Sequence, residues 1–77
     1  MKYLVIITNK TQDYTKFEMS PEDYANIDEQ LRVGSNLLII RAKTGGSYSR
    51  FMYPIENLLY IQCMEQDGEC SEIKLIS

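Results

Sequence analysis

The feature that most constrains this chain is a pair of adjacent glycines between two runs of strand-forming residues. Gly45 and Gly46 separate a Leu- and Ile-rich run that starts at Leu37 from an alternating run that ends at Tyr53. Two adjacent glycines tolerate the positive φ angles of a two-residue hairpin turn. We therefore predict a β-hairpin in which the numbers of paired residues sum to 91.

This register predicts a hairpin with one apolar face and one basic face. The pairs expected to meet the core are Leu38 with Tyr53, Ile40 with Phe51, and Ala42 with Ser49. The pairs on the opposite face are Ile39 with Met52, Arg41 with Arg50, and Lys43 with Tyr48. Two arginines directly across a ladder repel each other, whereas an opposite-charge pair would contribute roughly 0.2–1 kcal/mol. An anionic partner would relieve this repulsion, so the candidate partner-binding residues are Arg41, Lys43, Tyr48 and Arg50. The alternative is that these are solvated edge charges that discourage aggregation.

A short helix is predicted before the hairpin, over about residues 21–32. Ser20 suits an N-cap, Pro21 suits the first helical position, and the acidic Glu22 and Asp23 favour the positive end of the helix dipole. Gly34 is suited to the position just beyond the helix end. Apolar residues at helical spacing predict one buried face, and they are Tyr24, Ile27 and Leu31.

The remaining apolar or alternating runs predict strands, and Asp67-Gly68 predicts a second tight hairpin turn. The predicted strands are Lys2–Thr8, Tyr14–Met19, Asn36–Lys43, Ser47–Tyr53, Leu58–Met64 and Glu72–Ile76. The first strand is apolar on both faces and is therefore expected at the centre of a sheet. The element order β-β-α-β-β-β-β favours an α+β fold, a small curled antiparallel sheet with the helix packed on it, and a single domain over residues 1–77.

The stretch from Leu37 to Ile61 resembles part of a small SH3-like or Sm-like barrel. In it two strands are followed by Pro54 and by Ile55-Glu56-Asn57, which reads as a single 3₁₀ turn, and then by another strand. The resemblance covers about a third of the chain. It implies an SH3-like partial barrel as the architecture, and it implies no activity.

Charge is segregated along the chain, whose net charge is −3. No acidic residue lies between Glu29 and Glu56, where Arg32, Arg41, Lys43 and Arg50 fall. Acidic clusters occupy Glu18–Glu29 and Glu65–Glu72. The basic segment favours an anionic partner, and the acidic clusters are also compatible with an inhibitor that mimics nucleic-acid phosphates.

The residue types argue against catalysis and bound metal. There is no His, so a nucleophile would need Lys or a carboxylate as its base. The Asp67-Gly68 loop is too short for the ligand spacing of a calcium loop, and Cys63 and Cys70 are too few for a zinc site. We expect no enzyme activity, no cofactor and no metal. A disulfide between Cys63 and Cys70 is geometrically conceivable, but it needs an oxidising compartment.

The sequence therefore favours a cytoplasmic protein that acts by binding another protein. No run approaches the ~18 apolar residues of a membrane span, and we expect no secretion signal. A small domain without a staple is commonly stabilised by a partner subunit, so we expect a homo-oligomer. Size and composition suggest an accessory or modulator protein of the kind that phages and mobile elements encode. The alternatives are a nucleic-acid-binding small barrel and an acidic inhibitor that occupies the basic site of a nucleic-acid enzyme.

Overall fold

The computed structural model describes residues 2–65 and 71–76, and within these ranges it has one α-helix and six strands. Their bounds are β1 Tyr3–Asn9, β2 Tyr14–Met19, α1 Pro21–Arg32, β3 Leu37–Thr44, β4 Ser47–Pro54, β5 Leu58–Glu65 and β6 Ser71–Leu75. A single 3₁₀ turn, Ile55–Asn57, joins β4 to β5. The α+β class and the helix at 21–32 are confirmed. The predicted strand ends are off by one residue in several places, for example at β1 and β6.

The strands form two antiparallel sheets that share one core. The larger sheet has the order β2-β1-β5-β6, and the smaller one is the β3–β4 hairpin. The prediction that the first strand is central is confirmed, because β1 pairs with β2 on one side and with β5 on the other. β5 pairs with β6 in the register that an Asp67-Gly68 turn predicts, with Cys63 opposite Glu72. The turn itself and Cys70 lie outside the described residues.

The core lies between the inner faces of the two sheets and the apolar face of α1. Side chains from both sheets and from the helix are buried in it, and they are Val5, Ile7, Phe17, Met19, Tyr24, Ile27, Leu38, Ile40, Ala42, Leu58, Ile61 and Cys63. Tyr24 of α1 stacks edge-to-face on Tyr3 of β1, with ring centroids 5.5 Å apart. The inner face of β1 therefore lies under the helix.

Both predicted helix ends are confirmed. The Ser20 Oγ accepts a hydrogen bond from the Asp23 backbone N–H at 3.2 Å, so it caps one of the otherwise unpaired amides. Gly34 has a φ of 78°, a left-handed conformation that glycine adopts without steric cost. The helix is tied to β6 by Lys74, whose ammonium lies 2.6 Å from both the Asp28 and the Glu72 carboxylates.

The second apolar face of β1 is not covered by the helix. Leu4 and Ile6 lie on it and are half-buried between the neighbouring strands, whereas Val5 and Ile7 on the inner face are fully buried. The apolar residues on both faces of β1 thus correctly predicted its central place in the sheet. The helix, however, covers only one of these two faces. In the described part of the chain, no helix is both long enough and apolar enough to span a membrane.

Candidate functional site

The hairpin that carries the four candidate residues has the predicted register. Leu38 pairs with Tyr53 and Ile40 with Phe51, and the turn is closed by Thr44 opposite Ser47. Both turn glycines have positive φ, 58° at Gly45 and 87° at Gly46. This pattern is that of a type I′ turn, whose twist matches the twist of the two strands.

The structure brings the four candidate side chains together on the outward side of the hairpin. We call this surface the hairpin face, and its members are Leu37, Ile39, Arg41, Lys43, Tyr48, Arg50 and Met52. Arg41 lies opposite Arg50, and Lys43 lies opposite Tyr48. All four candidates are exposed, and Tyr48 retains 57% of its accessible surface. The base of the face, around Ile39 and Met52, is apolar, and the end near the turn is basic.

The two arginines occupy a close position in the ladder. The backbone N–H and C=O of Ile39 both bind the Gln30 side chain, so they point away from β4. Backbone groups of every second residue share this direction, and Arg41 is therefore in a non-hydrogen-bonded pair with Arg50. In such pairs the Cα atoms are about 4.5 Å apart and the side chains are closest. The two arginine side chains therefore leave neighbouring backbones on the same face of the hairpin.

Arg41 is held in place by Tyr48. The guanidinium carbon of Arg41 lies 4.2 Å from the centre of the Tyr48 ring, within the range of a cation–π contact. Tyr48 is the diagonal neighbour of Arg41 across the ladder, since the residue directly opposite is Arg50. A cation–π contact uses no hydrogen-bond donor, so the guanidinium N–H groups that point away from the ring can still bind a carboxylate.

Within the described residues, the basic side chains of the hairpin are not in ion pairs. The ion pairs found there are Lys2–Glu18, Arg32–Glu29, Lys74–Asp28 and Lys74–Glu72. Neither Arg41, nor Lys43, nor Arg50 has a carboxylate oxygen within 4.0 Å among these residues. The basic end of the hairpin face thus carries three uncompensated positive charges.

A groove runs between α1 and the hairpin face, and it has a volume of about 470 Å³. Arg41 and Arg50 line one side of it, and Leu37 and Ile39 supply an apolar part of its lining. On the helix side it is lined by polar side chains, which are Asp23, Asn26 and Gln30. The groove thus combines two cations, a strip of apolar surface and amide groups, and Asp23 is the acidic residue that borders it.

Sequence reasoning missed the helix side of this site. Gln30 and Asn26 lie on the exposed side of a helix, where amide residues are common and carry no signal by themselves. Their importance arises because α1 runs beside the edge of β3, a placement that no local pattern indicated. Because α1 lies beside β3, the Gln30 side chain can bind the backbone N–H and C=O of Ile39 at the strand edge. These two backbone groups need hydrogen-bond partners, which gives the contact its physical reason.

The acidic residues of the described chain do not assemble a metal site. No group of three or more His, Cys, Asp or Glu side chains with ligand geometry occurs within residues 2–65 and 71–76. Asp67 and Glu69 of the second acidic cluster lie outside those ranges. Glu72 instead accepts a hydrogen bond from the Tyr24 hydroxyl at 3.3 Å and binds Lys74.

The buried end of this Tyr24–Glu72–Lys74 cluster has shifted pKa values. Burial raises the pKa of the Tyr24 phenol above its ordinary value of 10.0, and the nearby Cys63 and Glu72 raise it further. Hydrogen bonds to Asp28 and then to Glu72 raise the pKa of the Lys74 ammonium. Both groups are therefore held in their protonated forms, which suits a structural clamp between α1 and β6.

Comparisons with models of protein families, with curated proteins and with solved structures gave no match for this chain.

Proposed function

We propose that this protein is a small non-catalytic interaction module that binds an acidic segment of another protein through the hairpin face. The observation that carries the proposal is the side-by-side placement of Arg41 and Arg50, with no carboxylate of the described chain within 4.0 Å. Like charges opposite each other destabilise a ladder, so this arrangement costs stability in the isolated protein. A bound carboxylate would turn that cost into two charge-assisted hydrogen bonds.

The groove beside the arginines supports a peptide rather than a small metabolite as the ligand. It is open along α1 and about 470 Å³ in volume, and its lining places apolar Leu37 and Ile39 near the two cations. In a peptide segment with an acidic residue next to an apolar one, the carboxylate would bind the arginines and the apolar side chain would pack on Leu37 and Ile39. Tyrosine and arginine are also the residue types that most often anchor protein interfaces, and Tyr48 and Arg41 are in contact here.

We further propose a specific architecture and a cellular setting for this protein. We assign the chain to SH3-like partial barrels because a hairpin, one 3₁₀ turn and a following strand succeed each other, and because β3 lies near β2 without pairing with it. We also place it in the cytoplasm as an accessory protein of phage or mobile-element type, on the grounds of size and composition.

Nucleic-acid binding is less favoured, since the net charge is −3 and the hairpin face offers only three cations.

The test measures binding of acidic peptides to the purified chain. A fluorescent peptide library with Asp or Glu beside Leu or Ile serves as the probe, and binding is followed by anisotropy over a series of salt concentrations. We expect the double variant Arg41→Gln with Arg50→Gln to lose at least about tenfold in affinity, a loss of roughly 1.4 kcal/mol.

A matched double variant keeps the loss of two positive charges but removes them elsewhere. Lys10→Gln with Lys16→Gln changes the net charge equally, and neither lysine lines the groove or belongs to the hairpin face, so this variant should retain binding. Equal losses in both double variants would mean that overall charge, not this surface, governs binding, and would contradict the proposal. A parallel series with single-stranded DNA and RNA decides between the two partner classes, because phosphate binding falls steeply with salt.

A further inference from the structure

The outer edge of β4 offers backbone groups that can pair with another strand. Because Arg50 is in a non-hydrogen-bonded pair with Arg41, its backbone N–H and C=O point away from β3. The backbone groups of Tyr48 and Met52, two residues to either side, point the same way. In the described part of the chain, β4 pairs with β3 alone, and the outward groups have no hydrogen-bond partner there. We call the outward backbone of Tyr48, Arg50 and Met52 the β4 edge.

The two edges of the hairpin differ in how they are closed. At the β3 edge, the Gln30 side chain binds both backbone groups of Ile39, and α1 lies beside the strand. The β4 edge belongs to a strand of eight residues, and the side chain of Met52 in its middle part is 66% exposed. The described chain thus protects one edge and leaves the other free to pair with an extended segment, as sheet edges do in β-strand addition.

The hydrophobic core is also less well covered along β4 than along β3. Leu38 and Ile40 of β3 are fully buried, whereas their partners in β4, Tyr53 and Phe51, are only half-buried although they pack against the core. The rings of Phe51 and Tyr53 both contact Phe17, with centroid distances of 4.9 and 6.4 Å. A third strand beside β4 would place its own inward side chains next to these two rings and remove more of their apolar surface from water, which favours association.

We propose that the β4 edge binds an extended segment of an acidic partner protein as a third strand, in which acidic residues alternate with aliphatic ones. Successive residues of a strand point to opposite faces. Those on the hairpin face would lie next to Arg50, which has no carboxylate oxygen of the described chain within 4.0 Å, so acidic side chains fit there. Those on the inward face would lie next to Phe51 and Tyr53, where aliphatic side chains fit.

Charge argues against a second copy of this chain at the β4 edge. Antiparallel pairing of β4 with the β4 strand of another copy would place the three cations of one hairpin face beside those of the other, and like charges across a ladder are destabilising. The groove lies beside α1 at the β3 edge, so the β4 edge is a second contact surface for the acidic partner. The inference rests on the proposed function for the acidic character of this partner, but backbone pairing gives its test a separate readout.

The first test uses a fluorescent eight-residue peptide of alternating Glu and Val, which matches the length of β4, and follows binding by anisotropy. N-methylation removes a backbone donor from the peptide and leaves its side chains in place. In a strand beside β4, the N–H groups point alternately towards β4 and away from it. We therefore expect N-methylation at one set of alternate positions to weaken binding at least about tenfold, and at the other set to leave it unchanged.

The second test changes the protein at Met52. Its N–H points away from β3, and edge strands tolerate proline at such positions, so Met52→Pro should keep the fold. This variant lacks one donor of the β4 edge and should bind the peptide at least about tenfold more weakly. Met52→Ala is the matched control, because it keeps the N–H, and it should bind as tightly as the wild type. Circular dichroism verifies that both variants remain folded, and the N-methylated peptides test the same contact on the unmodified protein.

Three results would overturn the inference. Equal effects of N-methylation at the two sets of positions would mean that the peptide backbone does not pair with β4; the proposed function would still hold if Arg41→Gln with Arg50→Gln abolishes binding. Equal affinity for a peptide of four Val followed by four Glu would mean that alternation is not recognised. A wild type that sediments as a dimer without peptide, and a Met52→Pro variant that sediments as a monomer, would show that a second copy occupies the edge.

Discussion

Gln30 of the helix acts as a backbone partner for Ile39 of β3. Its side-chain N–H donates to the Ile39 carbonyl at 2.8 Å, and its side-chain carbonyl accepts from the Ile39 N–H at 2.8 Å. The amide thus makes the pair of hydrogen bonds that a neighbouring strand would make. It blocks one edge of the hairpin and fixes the hairpin against the helix, so that the groove between them keeps its shape.

Replacing this amide should therefore loosen the hairpin. We expect Gln30→Ala to lower the free energy of unfolding by about 1 kcal/mol, because two backbone groups lose their protein partner, while water reaches the half-exposed Ile39 and limits the cost. Urea unfolding followed by circular dichroism measures the change. Asn26→Ala is the control, since among the described residues the Asn26 side chain bonds the Gln30 amide, at 3.1 Å, and its loss leaves the Ile39 hydrogen bonds in place. An equal cost for the two variants would contradict this role of Gln30.

The arginine pair predicts a trade between stability and binding. Arg50→Glu leaves the Arg41–Tyr48 stack in place and puts a carboxylate opposite Arg41, so the folded state should gain about 0.2–1 kcal/mol. The same carboxylate should occupy Arg41 and abolish binding of acidic peptides. Chemical unfolding and anisotropy titration on one preparation measure both effects. Arg50→Gln removes only the repulsion and should give a smaller gain; a loss of stability in both variants would show that the two guanidinium groups do not repel.

The turn that aligns the arginines should tolerate one substitution and resist another. Gly45 and Gly46 both have positive φ, and no atom of the described residues outside the turn lies within 4 Å of an added Cβ at either position. The cost of a substitution is therefore conformational. Asparagine adopts this conformation readily, whereas a β-branched residue does not. We expect Gly45→Asn to be nearly neutral and Gly46→Val to lower the free energy of unfolding by more than about 1 kcal/mol, as measured by thermal and urea unfolding. Similar stability of the two variants would mean that the turn relaxes into another type.

The clamp between α1 and β6 predicts a loss of stability in alkaline solution. Tyr24 and Lys74 both have a raised pKa in the folded state, so the folded state holds protons that the unfolded state releases above about pH 10. Their contribution is complete below the ordinary values of 10.0 and 10.5, and it is lost as the pH rises through the folded-state values. Unfolding in urea at pH 7 and pH 11 should therefore show a larger drop for the wild type than for Tyr24→Phe.

Tyr48→Phe is the matched control for this experiment, because it removes a phenol from the hairpin face, away from the clamp. Its drop between the two pH values should equal that of the wild type. If Tyr24→Phe loses as much stability as the wild type does, the buried phenol is not a source of the alkaline sensitivity.

Local patterns were sufficient for the parts of the fold that depend on neighbours in sequence. The Gly45-Gly46 pair determines the hairpin register, so the sequence alone predicts that Arg41 lies opposite Arg50. Ser20, Pro21 and Gly34 marked the helix ends because capping acts within one turn of the chain. These features involve contacts over a few residues, where backbone geometry and hydrogen bonding leave few alternatives.

The tertiary structure decided the relations between elements that are distant in sequence. β1 could be predicted to be central, but not to pair with β5, and the strand alternation could not tell which face of β1 the helix would cover. Strand pairing and helix placement depend on which arrangement of the six strands and the helix buries the most apolar surface. That arrangement is set by the whole chain and not by any local segment. For the same reason the Gln30–Ile39 contact became visible only when α1 had been placed beside β3.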